Sequence, residues 1–327
     1  MTDLSDQPRQ RLVAVVVTRD RLAQLQVTLA RLLAEVPAAL EAVVVVDNAS
    51  SDGTARWLAA QAQPGLVVLR QAENRGGAGG FAAGMAAAQA RFDPDWVVVM
   101  DDDARPAPGA LAAFHALDPQ GAEALAAAVY YPDGQICEMN RPSRNPFWDK
   151  AAFLGAATRG RAGFHIADAA YAAPPCDIDV TSFVGFFVSR AGLARAGLPE
   201  AELFLYGDDA IYTLGLRARG GRILFAPAIR FEHDCSTFAP GARRFRPLWK
   251  AYYFQRNLLI LYRMAAGWLF WPVLCVILPR WLLRVGAHRG ERRAFLRLTG
   301  AAIADGLRRR RTRPHAEVLR LAGASGD

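Results

Sequence analysis

The sequence is poor in cysteine, in lysine and in long uncharged apolar runs. Its four cysteines, Cys137, Cys176, Cys235 and Cys275, are scattered with no CxxC pair, which excludes a disulfide-stapled miniprotein and reads as buried thiols in a reducing cytosol. No uncharged apolar run reaches 18 residues, so an ordinary membrane-spanning helix is not expected. Met1 to Gln10 is polar and lacks the apolar stretch of a secretion signal. What is present is apolar: 52% of the 327 residues are hydrophobic and 21% charged, a balance that excludes a disordered chain and suits one large globular domain or two modest ones.

The net charge of +8 hides a division. Residues 1–240 carry 21 Lys and Arg against 27 Asp and Glu, a balance of −6, whereas residues 241–327 carry 18 against 4, a balance of +14. Two regions with different electrostatic tasks are therefore expected, with the boundary near residue 240. The basic region is also aromatic: Trp268, Trp271 and Trp281 lie among Leu and Val, interrupted by Pro272, Pro279, Arg280 and Arg284. Tryptophan and arginine on short apolar helices suit a bilayer interface. Nucleic acid is the competing anionic partner, but 37 of the 39 basic residues are Arg, an excess that genome composition alone can produce.

Strand and helix signals alternate over the first hundred residues. The spacing predicts strands at Leu12 to Val17, Ala42 to Val46, Leu66 to Leu69 and Trp96 to Met100, with helices at Arg21 to Leu33, Ser51 to Ala62 and Phe81 to Arg91. Such alternation means βαβ units and an open parallel sheet, in which ligands sit beyond the carboxyl ends of the strands. Thr18-Arg19, Asp47-Asn48 and Asp101-Asp102-Asp103 all follow strands and are expected to line one crevice. From 104 to 180 the pattern weakens. It returns with a strand at Ser182 to Ser189, a helix at Ala210 to Ala218 and strands at Arg222 to Ala226 and Ile229 to His233.

Three adjacent carboxylates at a strand end repel one another unless a cation or a donor-rich ligand compensates. A divalent ion on oxygen ligands resolves this and keeps positions open for phosphate oxygens. Asn74-Arg75-Gly76-Gly77-Ala78-Gly79-Gly80-Phe81 offers backbone N–H groups and close approach ahead of a helix. Its Gly77-x-Gly79-x-x-Ala82 spacing also matches a dinucleotide fingerprint, but Gln71 to Arg75 intervenes after the strand, and a ribose hydroxyl needs one acid rather than three. Asp208-Asp209, at a helix start behind an aromatic loop, suits a general base, with simple capping by Asp208 as the alternative. His233 gains a role only if the fold brings it to the aspartates, where imidazole and carboxylate together suit Mn²⁺ or a similar ion.

In order along the chain, these stretches resemble the glycosyltransferase family 2 enzymes of GT-A fold. The residues that carry the resemblance are Val15 to Arg21, Val46 to Thr54, Asn74 to Met85, Met100 to Asp103, Phe204 to Asp209, His233 and Tyr252 to Asn257. The glycine stretch followed by a triple aspartate is similar to the galactofuranosyltransferase and rhamnosyltransferase branch. The resemblance implies an α/β fold with a mostly parallel, Rossmann-like sheet flanked by helices, and a C-terminal amphipathic helical region. It implies that Asp47 holds a uracil or thymine imide, with Thr18 and Arg19 beside it, Asp102 toward the ribose, and Asn74, Arg75, Gly76, Gly77 and Gly79 around the donor. Asp101 and Asp103, with His233, would place Mg²⁺ or Mn²⁺ on the diphosphate. Asp209 would be the catalytic base and Asp208 would orient the acceptor. The pair is Asp-Asp where much of the family has Glu-Asp, and residues 141–175 carry no motif that aligns.

The expected activity is inverting, metal-dependent transfer of a sugar, galactofuranose from UDP-galactofuranose, to a lipid-linked glycan at the inner face of the plasma membrane. The basic region would hold the protein to that surface, with no nucleic-acid partner and self-association possible. The alternatives are a rhamnosyltransferase using dTDP-rhamnose, an NAD-dependent oxidoreductase on the glycine stretch, and a nucleic-acid-binding protein acting through its arginines.

Overall fold

The computed structural model describes residues 9–235 and 244–323. The first half runs β1 (Leu12–Thr18), α1 (Leu22–Leu33), β2 (Ala42–Asp47), α2 (Thr54–Ala59), β3 (Leu66–Arg70), α3 (Gly76–Phe92) and β4 (Trp96–Asp101). The second runs β5 (Ala104–Pro106), α4 (Ala110–Ala116), β6 (Ala124–Tyr130), α5 (Lys150–Arg159), β7 (Cys176–Ile178), β8 (Phe186–Ser189), α6 (Arg190–Ala196), α7 (Asp208–Ala218) and β9 (Ile223–His233). Helices α8 (Lys250–Ala266), α9 (Phe270–Leu283), α10 (Arg292–Leu307) and α11 (His315–Ala322) complete the chain. The strands form one sheet in the order β3-β2-β1-β4-β8-β6-β9-β5, with β7 also paired to β9.

The β-branched runs of β1, β2 and β4 are buried on both faces, as a central sheet covered by helices requires. Alternate residues serve different layers. Ala14, Val16, Val43, Val45 and Val98 pack with Leu25 and Leu29 of α1 and Phe114 of α4, while Val13, Val15, Val44 and Val99 pack with Phe81 and Met85 of α3 and Tyr212 of α7. Strands β1 to β4 pair in parallel. Beyond them the sheet is mixed: β8 is antiparallel to β4 and β6, and β5 and β7 are antiparallel to β9. This is the stretch where periodicity weakens: β5 and β7 are three residues each, and irregular connections with short helices separate its strands.

Three expectations change. The two strands expected at Arg222 to Ala226 and Ile229 to His233 are the single strand β9, whose register on β6 shifts between Ala127 and Ala128 to absorb Pro227 and its neighbours. Of the four cysteines only Cys137 is fully buried, and Cys275 is exposed on α9. The stretch Lys250–Ala287 is long and apolar enough to cross a membrane by length and composition, with mean hydropathy 1.7 over its best window. Charges cut the sequence run, but the backbone stays helical through Pro279 and Arg280.

The boundary expected near residue 240 lies outside the described residues. Beyond it, α8 packs directly on the sheet domain: Ile260 joins Ala78, Leu203 and Ile211 in one apolar cluster. Fully buried Arg256 donates to the carbonyls of Glu202, Leu203 and Arg311 at 2.8 to 3.0 Å and lies over the rings of Tyr252 and Tyr253.

Candidate active site

Sheet register brings the scattered motifs to one level. Thr18 pairs with Asp47, Asp47 with Arg70, and Val17 with Asp101, so the ends of β1, β2, β3 and β4 open into the same crevice, as the strand-end rule anticipates. After Asp101 the chain turns through Asp102 and Asp103 into β5, whose Ala104 pairs with His233 at the end of β9. That antiparallel pairing sets His233 Nε2 3.1 Å from Asp103 Oδ1 across 130 residues of sequence. The Asp103 carbonyl also accepts from the Asp234 amide at 2.9 Å, which locks the turn.

Each aspartate has different company. Asp102 accepts from the Thr18 hydroxyl at 2.7 Å, and its carbonyl from the Thr28 hydroxyl at 2.8 Å. Arg21 bridges Asp102 and Asp103. Asp101 has the weakest compensation: burial first, then the Asp103 charge, push its carboxyl up to about 7. Burial likewise raises Asp102 to about 6. Burial works against Asp103 as well, yet the hydrogen bond and charge of His233, with Arg21, hold it below the ordinary carboxylate value. Burial opposes charge on His233, but its bonds to Asp103 and Cys137 and the charges of Asp103 and Asp101 outweigh this and lift it to about 10.

The ligand atoms of Asp101, Asp103 and His233 lie within 4.8 Å of one another. Their chemistry, two carboxylates and one imidazole around incompletely neutralised negative charge, fits Mg²⁺ or Mn²⁺. Asn140 accepts at 2.7 Å from His233 Nδ1, so the proton a metal would displace from the charged ring is the one on Nε2, which faces Asp103.

Asp47 stands apart. It is 1% exposed, and its Oδ1 accepts from the Ser50 amide at 2.9 Å. Its Oδ2 is buried with no hydrogen-bond partner, and Arg70 Nε lies 3.9 Å away. A buried, unsatisfied carboxylate oxygen is costly unless a ligand donor meets it. Beside it Ala49, Ser50, Arg70, Gln71 and Ala72 line a cleft of about 410 Å³.

The glycine stretch is not a loop ahead of a helix, as the sequence suggests, but the first turns of α3 itself. Gly76 has φ +68°, and a Cβ there would lie 1.9 Å from the Phe204 carbonyl oxygen. Gly80 and Gly84 sit against Val17 and Val15 of β1, and a Cβ on Gly79 would meet Arg75. Gly77 alone of this group faces open space. Asn48 fixes the approach to the helix, donating to Asn74 Oδ1 and the Gly76 carbonyl while accepting from the Arg75 amide at 2.9 Å. Arg19 and Arg75 are exposed at the rim, Arg19 paired with Asp20 at 3.3 Å.

Asp208 and Asp209 open α7, but the residue preceding the helix is Gly207 and no side chain caps it, so the capping role considered for Asp208 is not the one it plays. Asp209 Oδ1 accepts from the Ala210 amide at 2.7 Å. Both carboxyls are raised by burial, and Asp208 further by the charges of Asp209 and Asp101, which places it on the side of the acid cluster. The loop before them is held from α8: the Asn257 amide donates to the carbonyls of Leu203, Leu205 and Tyr206 at 2.8 to 3.0 Å. Phe204 and Tyr206 in that loop have φ of 66° and 67°, a costly conformation for non-glycine residues that this clamp sustains.

Sequence reasoning missed Asn140 altogether, which lies in a stretch without a motif. Arg21, Asn48, Arg256 and Asn257 stood inside the motif stretches, but the bridging of two acids by Arg21 and the positioning action of the other three were not read from them.

The family model for glycosyl transferase family 2 matches residues 13–177, from β1 through the metal-type acids into β7. The chain belongs to glycosyl transferase family 2. It is a glycosyltransferase by that membership, and it is 31% identical over 201 residues to the galactofuranosyltransferase GlfT1 of Mycobacterium tuberculosis, covering 60% of this chain and 61% of that protein. The match thus spans less than two thirds of the relative's length. Among solved structures, the mannosyltransferase PcManGT of Pyrobaculum calidifontis, in complex with GDP-Man and Mn²⁺, superposes with TM-score 0.51 at 20% identity over 97% of this chain and 80% of that one. Residues 1–349 of S. aureus TarS, in complex with UDP, give 0.52 at 14% identity, covering 94% and 91%. These likenesses show the GT-A-like fold of the family.

Proposed function

We propose that this glycosyltransferase is an inverting, divalent-cation-dependent enzyme that moves galactofuranose from UDP-galactofuranose to a lipid-linked glycan at the cytoplasmic face of the membrane. The observation that carries the reading is the pairing, in one crevice, of the Asp101–Asp103–His233 donor set with the unsatisfied buried oxygen of Asp47. Similarity to a galactofuranosyltransferase supports the choice of sugar.

The family resemblance suggests the roles, and the shared crevice supports them. Asp47 Oδ2 accepts the imide N–H of the uracil, in the cleft beside Ser50 and Arg70. Asp102, fixed by Thr18 and Arg21, faces the ribose. Arg19, Asn74, Arg75 and the open backbone at Gly77 frame the donor; Gly76 lets α3 begin against the Phe204 loop, and Gly79 leaves room for the Arg75 side chain. Asp101, Asp103 and His233 hold Mg²⁺ or Mn²⁺, which supplies Lewis-acid stabilisation of the charge that develops on the departing diphosphate. Asp209, the more exposed of its pair, takes the proton of the acceptor hydroxyl, and Asp208 orients that hydroxyl. One displacement without a covalent enzyme intermediate inverts the anomeric centre.

The acceptor side points to lipid. Trp268 and Leu283 are 80% and 78% exposed, and Trp271, Val276 and Leu282 are exposed near them, among Arg280, Arg284 and the other residues of the +14 region. Helix α5 adds exposed Phe153 and Leu154, and Phe147 just before it packs into the α9 cluster. The 14 residues of α9 extend about 21 Å, short of the ~30 Å hydrocarbon core, while α8 is committed to the protein through Arg256 and Asn257. A helix lying in the interface satisfies both facts, with each nearby basic residue adding up to about 1 kcal/mol on anionic lipid.

The deciding assay is sugar transfer by Asp103→Ala and Asp209→Ala proteins, with a donor panel that includes dTDP-rhamnose. Loss of at least about 10²-fold in each is expected, in line with removing a general base or a charge-stabilising group. Near wild-type rates in both variants would overturn the assignment, and preference for dTDP-rhamnose would reassign the sugar.

A further inference from the structure

Behind the Asp101–Asp103–His233 set lies a second cluster that the proposed reaction does not use. Cys137 Sγ is 4.0 Å from His233 Nδ1, and the ligand atoms of Cys137, His233 and Cys235 lie within 4.8 Å of one another. Cys137 is fully buried and Cys235 partly exposed. The two nitrogens of one ring divide the space: Nε2 faces Asp103 at 3.1 Å, while Nδ1 faces the sulfur side and Asn140 Oδ1 at 2.7 Å.

Two sulfurs and an imidazole are soft donors, matched to Zn²⁺ rather than to Mg²⁺ or Mn²⁺. Zn–S bonds of about 2.3 Å in a tetrahedron set the sulfurs roughly 3.7 Å apart. The present separations exceed that by about 1 Å at most, a change that side-chain rotation supplies.

We infer that Cys137, Cys235 and His233 Nδ1 form a binding site for a thiophilic divalent ion of the zinc class, and that filling it excludes the hard cation from Asp101 and Asp103. A neutral imidazole has one lone pair in its ring plane. When Nδ1 ligates, the ring proton sits on Nε2 and points at Asp103. When Nε2 ligates, the proton sits on Nδ1 and is donated to Asn140. Filling both sites at once requires the ring to give up both protons as a bridging imidazolate, and a neutral imidazole loses its second proton far above neutral pH, so the two sites are alternatives. Binding sends the two thiol protons and the Nδ1 proton of the charged ring to solvent and moves no electrons. The exclusion rests on the hard-ion reading of Asp101, Asp103 and His233, whereas the soft site does not.

The test uses the full chain reduced with a phosphine and free of donor. Titration with Co²⁺ is expected to give thiolate-to-cobalt charge-transfer bands that saturate at about one equivalent and vanish on adding Zn²⁺. The bands should be lost in Cys235→Ser and retained in Cys275→Ser. Free Mn²⁺, read by its electron paramagnetic resonance signal, should rise when Zn²⁺ is added to the Mn²⁺-loaded protein. Cys235→Ser should need at least about tenfold more Zn²⁺ for the same release. Absence of thiolate bands in the wild-type protein overturns the soft site whether or not the variants fold, as do bands unchanged in Cys235→Ser. Simultaneous retention of Mn²⁺ and Zn²⁺ overturns the exclusion. Thiolate bands without any Mn²⁺ binding would leave the soft site standing and sink the hard-ion reading instead.

Discussion

Two neighbouring glycines at the start of α3 should respond to alanine with opposite signs. At Gly76 a Cβ would stand 1.9 Å from the Phe204 oxygen and 2.5 Å from its carbonyl carbon, both backbone atoms, and the φ of +68° is itself unfavourable for alanine. The left-handed conformation costs about 1–2 kcal/mol. Forcing the Phe204 loop away costs about 1–3 kcal/mol more, as overpacking does where the neighbour cannot rotate aside. Gly76→Ala should therefore lose roughly 2–5 kcal/mol. At Gly77 a Cβ would meet nothing within 4 Å, and the residue lies inside a helix. Gly77→Ala should gain about 0.5–1 kcal/mol from lower backbone entropy in the unfolded chain. Urea unfolding of both proteins reads the two signs directly. Transfer rates supply a second reading, because the displaced loop is the one that carries Asp208 and Asp209, and Gly76→Ala should lose activity at temperatures where it is still folded. Gly77→Ala should weaken donor binding if its open face receives the nucleotide sugar. A Gly76→Ala protein as stable as wild type, or a Gly77→Ala protein clearly less stable, would refute the account of this helix.

The remaining predictions concern protons, the α8 clamp and the lipid face. Because burial raises Asp101 to about 7, the metal-free fold favours its protonated form, so stability from this group is full below the ordinary value of 3.8 and declines as pH rises through about 7. Mn²⁺ displaces that proton and the Nε2 proton of the charged His233 ring, so its Kd, measured by calorimetry, should fall by up to about a hundredfold per pH unit between pH 5 and 7; a flat profile contradicts the buried-acid picture. Asn257→Ala removes the side-chain donor from the Leu205 and Tyr206 carbonyls, while Leu203 keeps Arg256, and should cost about 1–3 kcal/mol in chemical unfolding, with kcat falling more than donor KM rises. Equal stability would show that the loop holds itself. A Trp268→Ala/Trp271→Ala double variant should lose co-sedimentation with anionic vesicles while keeping its melting temperature, since both side chains are exposed; undiminished binding would move the membrane face elsewhere.

The half of the fold that contacts a nucleotide in the proposed reading was legible in the sequence, because its signals are local. The runs of β1, β2 and β4 are continuous and β-branched, helices intervene at regular spacing, and polar residues appear abruptly where each strand ends. Parallel crossover connections leave one arrangement for such units, so Thr18, Asp47 and Asp101 could be placed in one crevice before any coordinates. The opening of α3 was misplaced by five residues, since glycine reads locally as loop and only contact with Phe204 and Val17 shows why a helix tolerates it. His233 beside Asp103, Arg21 across two acids, Asn140 behind the imidazole and the α8 side chains beneath the acceptor loop were decided by tertiary structure alone. Each depends on pairing between segments about 50 to 130 residues apart. Hydrophobic periodicity reports which face of an element is buried, but not which distant element covers it.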